Sequence, residues 1–383
     1  MNSKWEHRKI GDVCIVERGG SPRPIDQYIT NDANGINWIK IGDTSESMYI
    51  TETAQKIKPE GMKKSRYVQP GDFLLSNSMS FGRPYILKTD GCIHDGWLVL
   101  RDKNSFFDKR FLYYYLSAKP TYEKFKMIAV GGVVNNLNSE MVRKISVPVP
   151  CKAEQIEIAN LLDIVNRIIL KRKQTLQKLD ELVKARFVEL FGDCKSMVSM
   201  NELCSIITDG THQPPRFQES GIPFIFVSNL VGNVVTYNAE KFISEDTYAE
   251  LYKRTPIEIG DLLLSTVGSY GHPAVVTEDR KFLFQRHIAY LKPRHNMVNS
   301  FYLHSALLAP DGQRQIEEKV KGIAQKTLNL SEIKKIVVPL PTIEEQNQFE
   351  KFVNQTDKSK VAVQKSLDEA QLLFDSLMQQ YFG

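Results

Sequence analysis

Residues 154–190 read EQIEIANLLDIVNRIILKRKQTLQKLDELVKARFVEL, 37 positions without glycine or proline. Apolar side chains recur in a 3-4-3-4 rhythm at Leu162, Val165, Ile169, Leu176, Leu179, Val183 and Leu190, with Arg172 and Arg186 filling the remaining seam positions. That rhythm predicts one continuous helix, about 55 Å long at ~1.5 Å per residue, with an apolar seam of coiled-coil type. Val147-Pro148-Val149-Pro150 blocks an earlier start, and Gly192 stands where a left-handed C-cap residue belongs.

The same pattern returns at 345–382, EQNQFEKFVNQTDKSKVAVQKSLDEAQLLFDSLMQQYF, after Val338-Pro339-Leu340-Pro341 and before Gly383. Thr342 and Glu345 form a capping box at its start. Its seam is Val353, Thr356, Lys360, Val363, Leu367, Ala370, Phe374, Leu377 and Tyr381. Where one helix carries a polar seam residue (Arg172, Arg186) the other carries an apolar one (Val363, Leu377). The reverse holds at Val165/Thr356 and Ile169/Lys360, so each helix is expected to prefer the other over a copy of itself. A helix this long outruns what a compact domain can cover, and antiparallel pairing is expected.

Outward from the helices the whole chain repeats at a shift of about 190. Val68-Gln69-Pro70-Gly71-Asp72-Phe73-Leu74-Leu75-Ser76 falls on Ile257-Glu258-Ile259-Gly260-Asp261-Leu262-Leu263-Leu264-Ser265, and Ser80-Phe81-Gly82-Arg83-Pro84 on Ser269-Tyr270-Gly271-His272-Pro273. A period this long is not that of a solenoid, whose units run roughly 20–50 residues. It is a duplicated module, and such a module handles two similar objects. Residues 1–150 and 193–341 are punctuated by glycine and proline, with short β-type runs at Ile36–Ile41, Asp72–Ser76, Trp97–Arg101, Phe224–Val227 and Ala274–Thr277. Short helices are expected at Lys109–Ser117, Tyr248–Lys253 and Ser300–Leu308. The fold class is α+β: two similar globular domains, 1–150 and 193–341, separated by helices in 151–192 and 342–383 that form an antiparallel coiled coil with pseudo-two-fold symmetry.

Composition is that of an ordinary globular chain, 42% hydrophobic and 25% charged over 383 residues. There is no apolar run of 18 or more and no leader pattern, and the five cysteines lack Cys-x-x-Cys spacing, so a cytoplasmic protein with reduced thiols is expected. Net charge is +5, distributed as +6 over 1–150, +2 over 151–192, 0 over 193–341 and −3 over 342–383. This balance permits a polyanion partner without demanding one.

Catalytic motifs are missing. There is no Asn/Asp-Pro-Pro-Tyr/Phe loop for a flipped adenine; Gln213-Pro214-Pro215-Arg216 has the wrong flanks. Neither a phosphate-binding Gly-x-x-x-x-Gly-Lys-Ser/Thr nor a zinc-type His/Cys grouping occurs. Glu278-Asp279-Arg280-Lys281 reads as a charged turn rather than a nuclease cluster. Asp209-Gly210-Thr211-His212 pairs an acid with a histidine, but no serine or cysteine nucleophile accompanies it, and the first copy has Arg18-Gly19-Gly20-Ser21 instead. Recognition fits better. Glycine-rich loops bearing cations and aromatics supply phosphate contacts and base-edge donors: Arg23, Lys63, Lys64, Arg66 and Arg83 in the first copy, His212, Arg216, Lys253, Arg254, Tyr270 and His272 in the second. A protein–protein scaffold and a self-contained DNA-modifying enzyme are the rival readings.

Asp209-Gly210-Thr211-His212, Gly221-Ile222-Pro223-Phe224, Ile259-Gly260-Asp261-Leu262-Leu263-Leu264-Ser265 and the Pro-Leu-Pro…Glu-Glu-Gln leading into a long helix resemble the specificity subunit of Type I restriction–modification systems. The resemblance spans the chain in its duplicated order, target-recognition domain and spacer helix, twice. The first copy departs from it: the Asp-Gly-Thr-His string is replaced, and Gly82-Arg83-Pro84-Tyr85 interrupts the usual run. The resemblance implies a non-catalytic reader of a bipartite, asymmetric duplex target, one domain per half-site, with the gap set by the helices. It implies two modification subunits and restriction subunits as partners, and S-adenosylmethionine, ATP and Mg on those partners rather than on this chain.

Overall fold

A computed structural model describes residues 5–77, 82–129, 136–322 and 326–383. Ser80 and Phe81 of the repeated string lie outside them. The chain divides into two compact units, residues 1–171 with 366–383, and residues 172–365.

The two glycine-free stretches form helices Lys152–Phe191 and Ile343–Phe382, 40 residues each. At the start of the second, Glu345 N–H donates to Thr342 Oγ1 (3.3 Å) and Thr342 N–H to Glu345 Oε2 (2.9 Å), the reciprocal bonds of a capping box. The left-handed glycine caps do not occur. Gly192 N–H donates to the Val188 carbonyl at 2.8 Å and Gly383 N–H to that of Gln379 at 2.9 Å, so the helical bond runs into each glycine, and neither has a positive φ.

In the first unit one five-stranded sheet runs in the order Cys14–Arg18, Trp97–Asp102, Phe73–Ser76, Pro84–Leu87, Tyr49–Ile50. A second runs Ile29–Thr30, Gln55–Ile57, Ile36–Ile39, Gly91–Ile93, Arg66–Val68. The second unit repeats the plan with fewer strands: Cys204–Asp209, Ile288–Pro293, Leu262–Ser265, Pro273–Val275, and a sheet of Lys241–Ile243, Ile222–Ile225, Leu283–Phe284. Register repeats too: Phe73 pairs with Leu100 as Leu262 pairs with Leu291. Phe73–Ser76 and Leu262–Ser265 are buried at every position, which is why they read as unbroken apolar runs. Phe73 and Leu75 face one core and Leu74 the other; Leu262 and Leu264 divide from Leu263 in the same way. The helices Lys109–Ser117 and Ser300–Leu308 fall where expected, capped by the Asp108 and Asn299 side chains. The strands expected at Ile36–Ile41 and Phe224–Val227 end early, at Ile39 and Ile225, because 3-10 turns begin at Ile41 and Val227; the second of them starts earlier, at Ile222. The strand expected at Ala274–Thr277 is Pro273–Val275, and the helix expected at Tyr248–Lys253 starts earlier, at Glu245, after the Ser244 cap.

Each long helix is clamped to a globular core by the glutamine of its first turn. Gln155 is 1% exposed; its amide donates to the Pro150 and Phe106 carbonyls and its Oε1 accepts from Asp108 N–H at 2.7 Å. Gln346, 0% exposed, donates to Pro341 and Met297 and accepts from Asn299 N–H at 2.8 Å. Each buried polar group is thereby satisfied, which fixes the angle at which the helix leaves the domain.

Within the first unit Val165 and Ile169 pack with Leu367, Ala370, Phe374 and Leu377 of the second helix. Within the second unit Phe187 and Phe191 meet Phe349 edge-on at 5.5 and 5.6 Å, and Lys360 Nζ lies 2.8 Å from Asp180. In both units the start of one helix meets the end of the other, so the pairing is antiparallel. Leu162, Val165, Ile169 and Val353 are buried, and Leu176, Leu179, Val183, Val363, Leu367, Phe374, Leu377 and Tyr381 are half-buried. Leu190 is the correction: it is 46% exposed, and Phe187 and Phe191 fill its place. Over this last stretch the buried side advances by four residues at a time (183, 187, 191), so the heptad's 3-4 alternation gives way to successive steps of four.

Candidate nucleic-acid interface

Beneath the candidate DNA-facing residues lies one backbone frame built twice. Gly19 N–H donates to Trp97 O (2.9 Å) and Gly20 N–H to Ile93 O (3.1 Å); Gly210 and Thr211 donate to Ile288 O (3.2 Å) and Phe284 O (3.0 Å). His94 N–H reaches Ile39 O as Gln285 N–H reaches Ile225 O, at 3.4 and 3.3 Å. Asn77 binds Gly96 O and Thr266 binds His287 O, at 3.0 and 2.9 Å. A Cβ on Gly19 would stand 2.1 Å from His94 O, and one on Gly210 2.2 Å from Phe284 O, so only glycine permits the two loops to touch. Gly82 and Gly271 share a φ of +80°, and each donates to the carbonyl of the preceding serine, Ser76 or Ser265. The next amides, Arg83 and His272, donate to those serine hydroxyls at 3.0 and 2.9 Å. Arg83 and His272 therefore occupy the same place in the two units.

On that frame the side chains diverge. In the first unit Arg23 lines a cleft of about 830 Å³ with Ser21, Trp38, Lys40, His94 and Asp95. Asp95 accepts from Ser21 Oγ at 2.8 Å and lies 3.4 Å from Arg23. The Ser21 hydroxyl, then its own backbone amide, and after these the nearby His94 and Arg23 hold its carboxyl below the usual range. Burial holds the His94 imidazole below its ordinary pKa against the pull of Asp95. Lys64 stacks on Tyr28 at 5.1 Å and donates to its hydroxyl. Arg66 lies 3.2 Å from Glu17, Arg83 lies over Tyr85 at 5.5 Å, and Lys63 is exposed.

In the second unit His212, Arg216 and Arg254 line a cleft of about 440 Å³ with Pro214, Pro215 and Glu250. Asp209 holds His212 at 2.9 Å and Arg254 at 2.8 Å, so the acid–histidine pair is closed by an arginine instead of a nucleophile. Lys253 is exposed on the neighbouring turn. Tyr270 donates to Glu317 and accepts from Lys326 Nζ at 3.2 Å, which turns its hydroxyl toward helix Pro310–Lys319. His272 Nδ1 meets Asn233 Oδ1 at 3.0 Å. A further cleft of about 250 Å³ is lined by Asp209, Thr266, Arg286, His287 and Asn329, and Asp209 pairs with His212 and Arg254 of the first. Arg286 and His287 escaped the sequence reading. The repeat register, which sets 286 and 287 against Asp95 and Gly96, was the signal that could have found them.

Among the described residues no group of three His, Cys, Asp or Glu side chains could hold a metal ion. The thiols of Cys14 and Cys204 are buried and pushed up to about 12 by that burial, so they do not serve as nucleophiles at neutral pH. No helix of the described residues is long and apolar enough to cross a membrane.

A twice-built frame carrying two different sets of polar side chains defines a two-domain recognition protein. The Type I restriction modification DNA specificity domain matches the chain twice, at residues 2–181 and 196–370, and the chain belongs to that family as a non-catalytic specificity subunit. It is 25% identical to the EcoBI specificity subunit of Escherichia coli, over 99% of this chain and 85% of that one. It is 24% identical to the MjaIX specificity subunit of Methanocaldococcus jannaschii, over 96% and 91%. The fold is similar to that of a chain in a structure described as the basis of complex assembly and conformational transition of the type I R-M system (TM-score 0.60, 17% identity, 100% of this chain and 98% of that one). It is also similar to the S subunit of a Type I system from M. genitalium (TM-score 0.55, 15% identity, 100% and 97%).

Proposed function

We propose that this chain reads a bipartite, asymmetric duplex sequence, each half by one of the recognition domains 1–150 and 193–341, with the spacer helices 151–192 and 342–383 fixing the gap. The observation that carries the reading is the shared backbone frame with divergent tips. A frame repeated bond for bond docks on the same phosphate geometry twice, while side chains that differ at equivalent places read different bases. Arg23, Lys63, Lys64, Arg66 and Arg83 face one half-site; His212, Arg216, Lys253, Arg254, Tyr270 and His272 face the other. Several of these cations rest on carboxylates or aromatic rings in the free protein, which keeps them ordered until a phosphate or base edge replaces the partner.

The helices and their adjoining domain surfaces seat two modification subunits, which carry S-adenosylmethionine and methylate adenine. Restriction subunits, which use ATP and Mg, join them, and the assembly works in the cytoplasm. The test is selection from a randomised duplex pool by the chain together with its modification subunits, across a salt series. Enrichment of a two-part motif with an unspecified gap is expected. Binding without enrichment would favour a protein–protein scaffold, and methyl-donor binding by the isolated chain would favour a self-contained enzyme.

A further inference from the structure

We infer that Arg286 reads a guanine in the second half-site. The inference rests on the DNA-reading function proposed above and assigns one of its contacts. Arg286 occupies the tip of the loop between Leu283–Phe284 and Ile288–Pro293. Its place is fixed from three sides: Arg286 N–H donates to Thr211 O at 3.1 Å, Gln285 N–H to Ile225 O at 3.3 Å, and Ile288 N–H to Gln285 O at 3.1 Å. The side chain is exposed and makes no hydrogen bond or ion pair with another described residue. It lines the cleft whose wall is Asp209, and Asp209 carries His212 and Arg254 on its other side. Within a segment of zero net charge, 193–341, cations thus gather at one set of loop tips.

The first unit says which kind of contact this is. The equivalent residue is Asp95, whose amide lies 3.4 Å from Ser21 Oγ where that of Arg286 meets Thr211. Both units back onto the same polyanion, so a position that touches phosphate needs a donor or cation in each. A position that is an acid in one unit and an arginine in the other does not serve phosphate; it faces base edges, where the required charge depends on the base. An arginine fork on a pinned backbone matches the O6 and N7 acceptors of guanine. Burial and Arg286 itself lower the pKa of His287, next in the chain, so the guanidinium carries the positive charge of this turn.

The test uses the chain reconstituted with its modification subunits, with wild type, Arg286→Ala and Arg286→Lys each selecting from the randomised pool. With Arg286→Ala, preference for guanine at one position of the second half-site should fall about 10- to 100-fold, while the first half-site stays unchanged. Arg286→Lys should bind about as tightly and recover only part of the preference, because an ammonium lacks the planar fork. Uniform weakening across all sequences, loss in the first half-site, or full preference retained by either variant would overturn the assignment. A wild type that selects no motif would instead defeat the DNA-reading function. Because the side chain is exposed, both variants should melt with the wild type; if Arg286→Ala alone fails to assemble, Arg286→Lys still decides.

Discussion

The loop Gly19–Arg23 and the loop Gly210–Arg216 begin with the same two backbone bonds and end in different chemistry. The first is tied by Ser21 and Arg23 to an acid at 95; the second leaves an arginine at 286 open and gathers His212 and Arg254 on an acid of its own. Backbone geometry and side-chain chemistry have been separated by duplication, the one held constant and the other left to vary. A stable frame is what makes such variation tolerable, since the altered groups are exposed or half-buried and carry little of the folding energy.

The frame itself offers the largest way to break the comparison. Phe191 and Phe382 occupy equivalent helix ends; Phe191 packs on Tyr302 and Phe349 at 5.1 and 5.6 Å, and Phe382 on Phe111 and Tyr115 at 5.5 and 5.9 Å. Phe382→Ala should cost about 3–5 kcal/mol in the first unit and Phe191→Ala a similar amount in the second. Hydrogen exchange followed peptide by peptide would check that each loss stays in its own unit; equal loosening of both would mean that the units fold as one.

The glutamine clamps come next. Gln155→Ala leaves the Asp108 amide and two carbonyls without partners, and Gln346→Ala does the same around Asn299, for about 2–3 kcal/mol each. Chemical denaturation of each variant measures it, and a loss under ~0.5 kcal/mol would show that water replaces the amide. On the recognition side, Arg83→Ala should cost roughly 1–3 kcal/mol of discrimination in the first half-site only, and His272→Ala the like in the second. Weakening of both half-sites together, with only the salt slope changed, would reduce Arg83 to a phosphate contact.

Acid should separate the units more gently. Burial lowers the pKa of His94 in the first unit and of His287 and His304 in the second from the ordinary value of 6.5. Such a group binds its proton more readily when unfolded, so stability is full above about 6.5 and falls as pH drops below it, until the folded state protonates as well. With two such groups against one, the second unit should loosen first between pH 6.5 and 5. His304→Gln, which keeps a donor for the Asn233 carbonyl now 3.0 Å from Nε2, should remove part of that difference. Simultaneous loosening of both units in exchange data at pH 5.5 would contradict it.

Much of this organisation was written in periodicity. Glycine-free stretches dictated the two helices, and the 3-4 rhythm marked most of the side chains that they bury, because those patterns are local or repeat at fixed steps. Contacts between residues far apart in sequence were not legible. The close approach of Gly19 to His94 depends on two loops meeting across a sheet. The glutamines at 155 and 346 stand at the same point of the repeat, and only tertiary packing reveals them as clamps. Leu190 fits the heptad, yet Phe187, Phe191, Tyr302 and Phe349 pack together at that end, and the larger ring of Phe191 takes the buried place. Arg286 was passed over because a lone arginine between strands has no local signature; its meaning comes from Asp95 standing at the same point of the other copy.

The central claim, that the paired helices set the distance between two independent readers, is tested most directly by removing one heptad from each helix and mapping the recognised motif in the reconstituted complex. Seven residues at ~1.5 Å are about 10 Å, or roughly 3 base pairs of duplex at ~3.4 Å each. Both half-sites should persist with the gap shortened by about that amount. The same two half-sites with an unchanged gap would contradict the account.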